Sequence, residues 1–405
     1  MKNLLINCLG YIKSNWKTVV FVFVVFCICI LSFGYQPEVI KNHANPLEIV
    51  SIDKISNADN PWYRAVNAPY YLVARTINLF IDNPLVAGRA TSAIFGMLAM
   101  ILFFIVIKRW FNARMATVAT MLLMTNSLLI NLTHQAIPIS AIILAITLVF
   151  ASLNWLVRSN KYVFLSFLTF VIALSLSMYV PYMIYIVTIC VLYVIIYSRN
   201  KLKKLKIWQF AIAGLVYLVL LAPLFYSLLA APGQLREFFG INQSVATLPE
   251  YFNNLISLLF GIFVYSKSFP LLYVSNLPLL DIFTATMFVM GVYYFVRRLK
   301  YKRTVLVFSC TLTLLLILPL SAAYQTHILI LLPLLYLFVI TGIIELLKRW
   351  FSYFPRNPLA RTTGILLVTL AICLASFFQV SRYYVAWSRS PDTKALYVIK
   401  YKQVK

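Results

Sequence analysis

The chain has 405 residues, of which 62% are apolar and only 11% are charged, and its formal net charge is +25. A soluble globular domain carries about 25% charged residues, so this composition excludes that class. The Lys and Arg residues are scattered over separate short segments. This scatter argues against a nucleic-acid partner and favours contact with membrane lipid.

Apolar runs of about twenty residues, the length of a transmembrane helix, recur along the chain. Because a chain in lipid must satisfy its own backbone hydrogen bonds, runs this long predict helices and not barrel strands. The sequence therefore predicts an all-α polytopic membrane protein with about 11 transmembrane helices. They are expected at 18–35, 85–107, 114–132, 136–157, 162–178, 181–198, 208–229, 279–296, 304–321, 327–346 and 362–381. The first run lacks a clear small-residue cleavage site, which favours an uncleaved anchor over a signal peptide.

Two segments are too long to be simple connections. We expect one transmembrane domain over 1–382, with a first outer loop at 36–84, a second outer loop at 230–278, and a short outer-face tail at 383–405. Pro and Asn residues divide the first loop, which predicts short helices lying along the membrane surface. In the second loop, the apolar run 253–265 is too short to span and predicts an interfacial or re-entrant helix.

Charged residues predict the orientation of the chain. With the N-terminus in the cytoplasm and the C-terminus outside, most Lys and Arg residues fall in short cytoplasmic loops, as the positive-inside rule requires. Every Asp and Glu except Glu345, and all three histidines, then fall outside. Two explanations stay open: acid-base or cation chemistry on the outer face, or simply two large polar loops on that side.

Five short motifs occur in a recognisable order. They are "GYQPE" (34–38), "APYYL" (68–72), "VAGRATSAIFG" (86–96), "KRWFNARMATVATMLLMTNSLLI" (108–130) and "YQTHILILLPLLY" (324–336). This order resembles the integral-membrane glycosyltransferases of the GT-C fold, especially the protein-mannosyltransferase and aminoarabinose-transferase branch. The resemblance implies a glycosyltransferase of the cell envelope that moves a hexosyl or pentosyl group from a polyprenyl-phosphate carrier to an acceptor glycan, lipid or protein.

The chemistry of such a transfer needs a general base for the acceptor hydroxyl and cationic or hydrogen-bonding groups for the leaving phosphate. The family places an Asp-Glu pair just after the first span, where this chain has Glu38 followed by Val39. Glu38 is therefore the predicted catalytic base, with Asp53 as a second candidate. Glu48 and Asp59 are further acids of the same loop that could replace them.

The predicted substrate-binding residues are Tyr70, Tyr71, Arg89, His134, Tyr324 and His327. Arg89 opens the second predicted span and suits a phosphate by its bidentate geometry. An arginine at a membrane boundary also commonly extends to the lipid headgroups, and this is the favoured role for Arg75. His134 could bind phosphate or sugar, or could cap a helix. His327 begins a late helix beside Tyr324, where the resemblance implies contact with the carrier.

Two other functions stay open at this point. One is a transporter or flippase for lipid-linked glycan, although the predicted spans hold almost no charge and transporters keep ionisable residues near the midplane. The other is a non-catalytic GT-C-like protein that binds lipid-linked glycan, which the missing second acid allows. The sequence demands no cofactor and shows no metal-ligand spacing, while a divalent cation at the first-loop acids is compatible with it.

Overall fold

A computed structural model describes residues 34–41, 43–56, 65–241, 245–265, 269–272, 274, 277–321, 324–397 and 399–400. Nearly all of the first predicted span, 18–35, lies outside these residues, as does Asp59. The helices and strands follow one another as β1 His43–Ala44, α1 Pro46–Ser56, α2 Ala68–Ile81, α3 Pro84–Trp110, α4 Ala113–Met124, α5 Ser127–Thr133, α6 Ser140–Arg158, α7 Val163–Ser177, α8 Met183–Tyr197, α9 Arg199–Leu202, α10 Ile207–Ala230, α11 Gly233–Phe238, α12 Leu248–Phe263, α13 Ile282–Arg297, α14 Lys302–Ile317, α15 Tyr324–His327, α16 Leu332–Tyr353, α17 Pro358–Ser381, α18 Pro391–Leu396 and β2 Ile399–Lys400.

The described residues form a bundle of apolar helices. Six stretches in this part of the chain are long and apolar enough to cross a membrane: Pro84–Trp110, Ser140–Arg158, Ile207–Ala230, Lys302–Leu320, Gln325–Tyr353 and Pro358–Trp387. α4 and α5 form a bent seventh, and α7, α8 and α13 are shorter apolar helices. The predicted class, an all-α multi-pass membrane protein, is confirmed. The predicted number of 11 spans is not.

The third predicted span, 114–132, differs from a straight helix. α4 and α5 meet at an angle of 69°, and the break falls at Thr125 and Asn126. Asn126 caps α5 by accepting a hydrogen bond from the Leu128 backbone N–H at 3.1 Å, and its side-chain amide donates to the Tyr336 hydroxyl at 3.2 Å. An Asn side chain that satisfies the first turn of a new helix competes with continuation of the old one.

The core of the bundle is built around α16, whose residues from Leu332 to Ile343 are all buried. α13 packs directly on α16 at two glycines. A Cβ atom on Gly342 would lie 1.9 Å from the Met287 carbonyl oxygen, and one on Gly291 would lie 2.0 Å from the Phe338 carbonyl oxygen. Only glycine allows two helix backbones to approach this closely, which is a common device in membrane bundles.

One end of the bundle, here called the loop end, carries the two long loops and the C-terminal tail. There the Asn67 backbone N–H donates to the Tyr179 carbonyl at 2.8 Å, and that of Ala246 donates to the Leu320 carbonyl at 2.9 Å. The tail returns to the first loop, because β2 pairs with β1 in an antiparallel register that sets His43 opposite Lys400. The loop end is therefore a connected layer of short elements on top of the bundle.

Candidate functional site

A buried ion pair fastens the first loop to the bundle. The Arg89 Nε of α3 lies 2.9 Å from the Glu48 Oε1 of α1, and an Arg89 Nη2–Glu48 Oε2 contact of 3.1 Å makes the pair bidentate. Arg89 is only 5% exposed and Glu48 is fully buried. Such a pair needs further hydrogen bonds to offset the loss of hydration.

Those further hydrogen bonds are present on both partners. Arg89 also donates to the carbonyl oxygens of Ile40 at 2.9 Å and His43 at 2.7 Å. Glu48 accepts from the backbone N–H groups of Ala136 at 2.8 Å and Asn45 at 3.1 Å. Arg89 thus binds the first loop at several points in this structure, while its predicted contact with a carrier phosphate stays a prediction.

A cavity of about 240 Å³ opens between the first loop, the second loop and the start of α6. We call it the Tyr71 cavity. One wall is apolar and comes from α1 and the chain entering α6, including Leu47, Val50, Ile137 and Ile142. The polar lining consists of Ser51, Lys54, Asn67, Tyr71, Glu237, Thr326 and His327. An apolar wall beside a few convergent polar groups is the usual composition of a ligand site.

The polar groups of the Tyr71 cavity come from four separate segments. Lys54 projects from α1, and its Nζ lies 5.5 Å from the centre of the Tyr71 ring on α2. Burial raises the pKa of Tyr71 to about 12, with the negative charge of Glu237 adding to the rise and a hydrogen bond with Ser51 opposing it. Tyr71 is therefore a neutral hydroxyl at physiological pH and is able to donate a hydrogen bond.

His327 is buried at the cavity wall, at the end of α15. Its Nδ1 lies 2.7 Å from the Thr326 hydroxyl, and its ring centre lies 4.9 Å from that of Tyr182. The Tyr182 hydroxyl donates to the Gly240 carbonyl oxygen at 2.7 Å. Gly240 has a φ of 84°, and a Cβ there would lie 2.3 Å from the Tyr182 ring. Glycine at this turn lets the second loop pack directly against the Tyr182 ring.

Two local features place α1 and α2 at the cavity. Asn45 caps the first turn of α1, since its Oδ1 accepts from the Glu48 backbone N–H at 2.9 Å. Asn67 precedes α2 in the left-handed region, with a φ of 62°. Asn tolerates this conformation better than most residues, and it turns the chain so that Tyr71 points toward the second loop.

Two other predicted binding residues, Tyr70 and His134, lie in packed surroundings. Tyr70 is fully buried, and its hydroxyl donates to the Gly88 carbonyl at 2.9 Å; burial raises its pKa. His134 is also fully buried, with its Nδ1 at 2.6 Å from the Tyr383 hydroxyl oxygen. Neither lines the Tyr71 cavity. Tyr324 begins α15, three residues before His327.

The two predicted catalytic acids lie elsewhere on the loop end. Asp53 is exposed on α1 and does not line the Tyr71 cavity. Glu38 is exposed beside a second cavity of about 510 Å³, here called the Glu38 cavity, together with Arg389 and Lys394. The structure thus brings Tyr71 and His327 together and places Glu38 at a different cavity.

Lys54 and Glu237 are the charged residues of the cavity lining, and neither was among the site residues predicted from the sequence. Glu237 was one of several acids assigned to the outer side, and only its place on α11 distinguishes it from the others. Lys54 lies one helical turn after Ser51 on α1, and this spacing alone does not indicate a binding site. Within the described ranges, no group of three or more His, Cys, Asp or Glu side chains is arranged to hold a metal ion.

No family model and no curated protein sequence matches this chain. Among solved structures, it is similar to ArnT from Cupriavidus metallidurans bound to undecaprenyl phosphate, with a TM-score of 0.58 and 13% identity over 95% of this chain and 77% of ArnT. It is also similar to the Archaeoglobus fulgidus oligosaccharyltransferase in its apo form, with a TM-score of 0.57 and 12% identity over 97% of this chain. It spans 61% of that protein, which is less than two thirds. A further structure of the oligosaccharyltransferase, with Zn and sulfate, has the same TM-score of 0.57.

These neighbours are GT-C membrane glycosyltransferases, and the chain shares their fold over most of its length. The resemblance in fold that the five motifs implied is therefore confirmed. At 12–13% identity the similarity concerns the fold alone.

Proposed function

We propose that this protein transfers a sugar from a polyprenyl-phosphate carrier to an acceptor at the outer face of the cell membrane, and that the reaction takes place in the Tyr71 cavity. The observation that carries the proposal is the juxtaposition of Lys54, Tyr71, Glu237 and His327 beside an apolar wall. The ArnT neighbour, which was solved with undecaprenyl phosphate, supports a lipid carrier of this class.

The donor would lie with its phosphate near Lys54. The Lys54 ammonium group supplies a positive charge for the phosphate, and the neutral Tyr71 hydroxyl and the His327 ring supply hydrogen bonds. Groups held in place before the reaction stabilise the charge that develops on the leaving phosphate. The apolar wall formed by Leu47, Val50, Ile137 and Ile142 suits the first prenyl units of the carrier.

Glu237 is the carboxylate best placed to act as the base, since it lines the same cavity. In the proposed step the acceptor oxygen attacks C1 of the sugar, and the bond from C1 to the phosphate oxygen breaks. The acceptor proton passes to the Glu237 carboxylate, while the phosphate leaves on the lipid with the electron pair. Glu38 and Asp53, the bases predicted from the sequence, are the alternatives to Glu237.

The proposed orientation follows the basic loops, with the loop end outside the cell and the N-terminus in the cytoplasm. The step requires no resident cofactor, because the donor is already activated by its phosphate. The assay also tests for a divalent cation at the first-loop acids, since the archaeal neighbour was solved with Zn. The acceptor, which could be a glycan, a lipid or a protein, is to be identified by the same assay.

The test is a transfer assay with purified protein in nanodiscs and radiolabelled polyprenyl-phosphate sugars, run with and without added divalent cation or chelator. Glu237→Gln should lower kcat by about 100-fold or more, as expected for loss of a general base. Lys54→Gln should weaken donor binding. Lys41→Gln is a matched control, because Lys41 is an exposed lysine of the same loop that lies outside the cavity lining.

Glu38→Gln and Asp53→Asn complete the set and decide between the three acids. If Glu237→Gln retains the wild-type rate and Glu38→Gln loses it, the base is the one predicted from the sequence. If wild type consumes no carrier but binds it, the non-catalytic alternative replaces the enzyme. If it moves the intact lipid-linked sugar between leaflets without transfer, the flippase alternative replaces it.

A further inference from the structure

The Glu38 cavity is a second opening at the loop end, and it shares no lining residue with the Tyr71 cavity. It lies between the start of the first loop and the C-terminal tail. Its lining includes Tyr35, Glu38, Tyr384, Ser388, Arg389 and Lys394. At about 510 Å³ it is larger than a single phosphate or carboxylate group requires.

The walls of this cavity are held in place by packed aromatic residues. The Tyr384 hydroxyl donates to the Tyr35 carbonyl oxygen at 3.1 Å, and the two ring centres are 5.7 Å apart. Beneath them, Trp387 stacks on Tyr383 at 5.2 Å, and its Nε1 donates to the Pro270 carbonyl at 2.8 Å. The tail is therefore held by contacts at Tyr35 and at Pro270, and these contacts keep the wall of the cavity that the tail forms in place.

The charges at the rim are not paired with one another. Among the described residues there are two ion pairs, Arg89–Glu48 and Arg349–Glu345. Arg389 and Lys394 take part in neither, and both side chains are exposed. Together with Glu38 in the same lining, they give the cavity two positive charges and one negative charge. A net positive rim attracts an anion, and the planar guanidinium of Arg389 suits a phosphate or carboxylate.

The remaining groups suit a sugar ring. Tyr35 is 69% exposed, so its ring face is available at the cavity mouth. The negative face of an aromatic ring attracts the polarised C–H groups of a saccharide. Glu38 is an acceptor for hydroxyl groups, and Ser388 adds a hydroxyl to the lining. A simple inorganic anion would use only the two cations and would be repelled by Glu38.

We propose that the Glu38 cavity binds an anionic saccharide, meaning a sugar that carries a phosphate or a carboxylate. Its anionic group lies between Arg389 and Lys394, its ring lies against Tyr35, and its hydroxyls face Glu38. The site is separate from the proposed reaction site. Its test measures binding alone, so its failure would leave the proposed transfer untouched.

The experiment is calorimetric titration of the purified full chain with glucose 1-phosphate, glucuronic acid, glucose and inorganic phosphate. We expect the first two to bind about tenfold or more tightly than the last two, and the affinity to fall as salt is added. Arg389→Gln with Lys394→Gln should remove this binding. Glu38→Gln should tighten the binding of inorganic phosphate, because it removes the one negative charge at the rim.

Matched controls are Lys41→Gln in the first loop and Arg236→Gln in the second loop, which remove exposed basic residues of the loop end without touching the cavity lining. Each variant is checked for an unchanged unfolding midpoint. Equal binding of glucose and glucose 1-phosphate would overturn the proposal, and so would equal binding of inorganic phosphate. Loss of binding in Lys54→Gln, and not in the Arg389 and Lys394 double variant, would place the ligand in the Tyr71 cavity and also overturn it.

A final arm identifies the source of the saccharide. The titration is repeated in nanodiscs of phosphatidylcholine with and without phosphatidylinositol, whose headgroup is a phosphate on a cyclic polyol with the hydroxyl pattern of a sugar ring. Competition by phosphatidylinositol that disappears in the double variant supports a lipid headgroup as the ligand. Unchanged binding of the soluble sugar supports a soluble or polymeric glycan.

Discussion

Removing either partner of the Arg89–Glu48 pair should strongly destabilise the fold. Glu48 is fully buried and accepts four hydrogen bonds: from Arg89 Nε at 2.9 Å, Arg89 Nη2 at 3.1 Å, and the backbone N–H groups of Ala136 at 2.8 Å and Asn45 at 3.1 Å. Glu48→Ala leaves these donors, including a buried guanidinium, without their acceptor. Arg89→Met leaves the carboxylate without its counter-charge.

The magnitude follows from these four contacts. Hydrogen bonds to a charged group contribute about 1.5–3 kcal/mol each, so a simple sum gives about 6–12 kcal/mol. Contacts that share one carboxylate are not additive, and water that enters the space left by the side chain rehydrates part of the site. Loss of one partner from a buried pair in other proteins costs about 3–5 kcal/mol, and we expect that range for Glu48→Ala and for Arg89→Met.

The assay is chemical denaturation of the purified protein in bicelles, with Glu48→Ala, Arg89→Met and the double variant that combines these two changes. The double variant should cost clearly less than the sum of the single changes, because neither charge is then left alone. Glu345→Gln is the control: it breaks the Arg349–Glu345 pair at 3.3 Å, whose side chains are 45% and 16% exposed, and should leave the unfolding midpoint unchanged.

Wild-type stability in Glu48→Ala would refute this reasoning, and so would full additivity in the double variant. A third outcome would redirect it. If Arg89→Met keeps the stability of the wild type but loses affinity for polyprenyl phosphate, Arg89 binds the carrier as the sequence predicted.

Three further predictions concern packing, protonation and the tail. Gly342→Ala should cost about 3 kcal/mol or more of unfolding free energy, because its Cβ would lie 1.9 Å from the Met287 carbonyl oxygen. The phenol of Tyr71 should ionise near pH 12 in a difference titration of tyrosinate absorbance against Tyr71→Phe. The unfolded chain loses this proton near pH 10, so the contribution of Tyr71 to stability is full below that pH and is lost as the pH rises toward 12. Tyr397→Phe should cost about 1–3 kcal/mol and expose the first loop to limited proteolysis, since the buried Asn45 amide donates to the Tyr397 hydroxyl at 3.0 Å.

Each of these has a control and a contrary result. Gly214→Ala is the matched glycine change on α10, where an added Cβ meets nothing within 4 Å; equal losses at both glycines would refute the close-packing argument. An ionisation near pH 10 for Tyr71 would show that its ring is hydrated and that the cavity is wider than described. A Tyr397→Phe protein that resists the protease as the wild type does would show that the tail does not hold the first loop.

The membrane class and the positions of most helices could be predicted from the sequence. Hydrophobic length is a local property, and each apolar run from 85 onward contains helix in the structure. The break between α4 and α5 was missed because a single Asn inside an apolar run is a weak signal for a helix end. Its cap on Leu128 is local, whereas its contact with Tyr336, 210 residues away, cannot be seen in the sequence. The fold could be predicted because the five motifs occur in the same order as in a known family, even though each motif is short.

The candidate site was only partly predictable. Tyr71 and His327 were named because their motifs resemble those of the family, and both line one cavity. Arg89 was equally conspicuous in the sequence, yet nothing local indicated that Glu48, 41 residues earlier, would accept from it. Lys54 and Glu237 had no motif at all, and only the approach of α1 and α11 places them together.

The sequence by itself therefore determined that this protein folds in a membrane and that its apolar runs form helices, because both depend on composition and on spacing along one segment. Only the tertiary structure decided which polar side chains meet. The hydrogen bond between Asn45 and Tyr397 joins residues 352 positions apart, and a local sequence pattern cannot predict a contact between residues so far apart in the chain. Whether a charged side chain forms a buried structural ion pair, as Arg89 does, or binds a substrate depends on which groups surround it after the helices have packed.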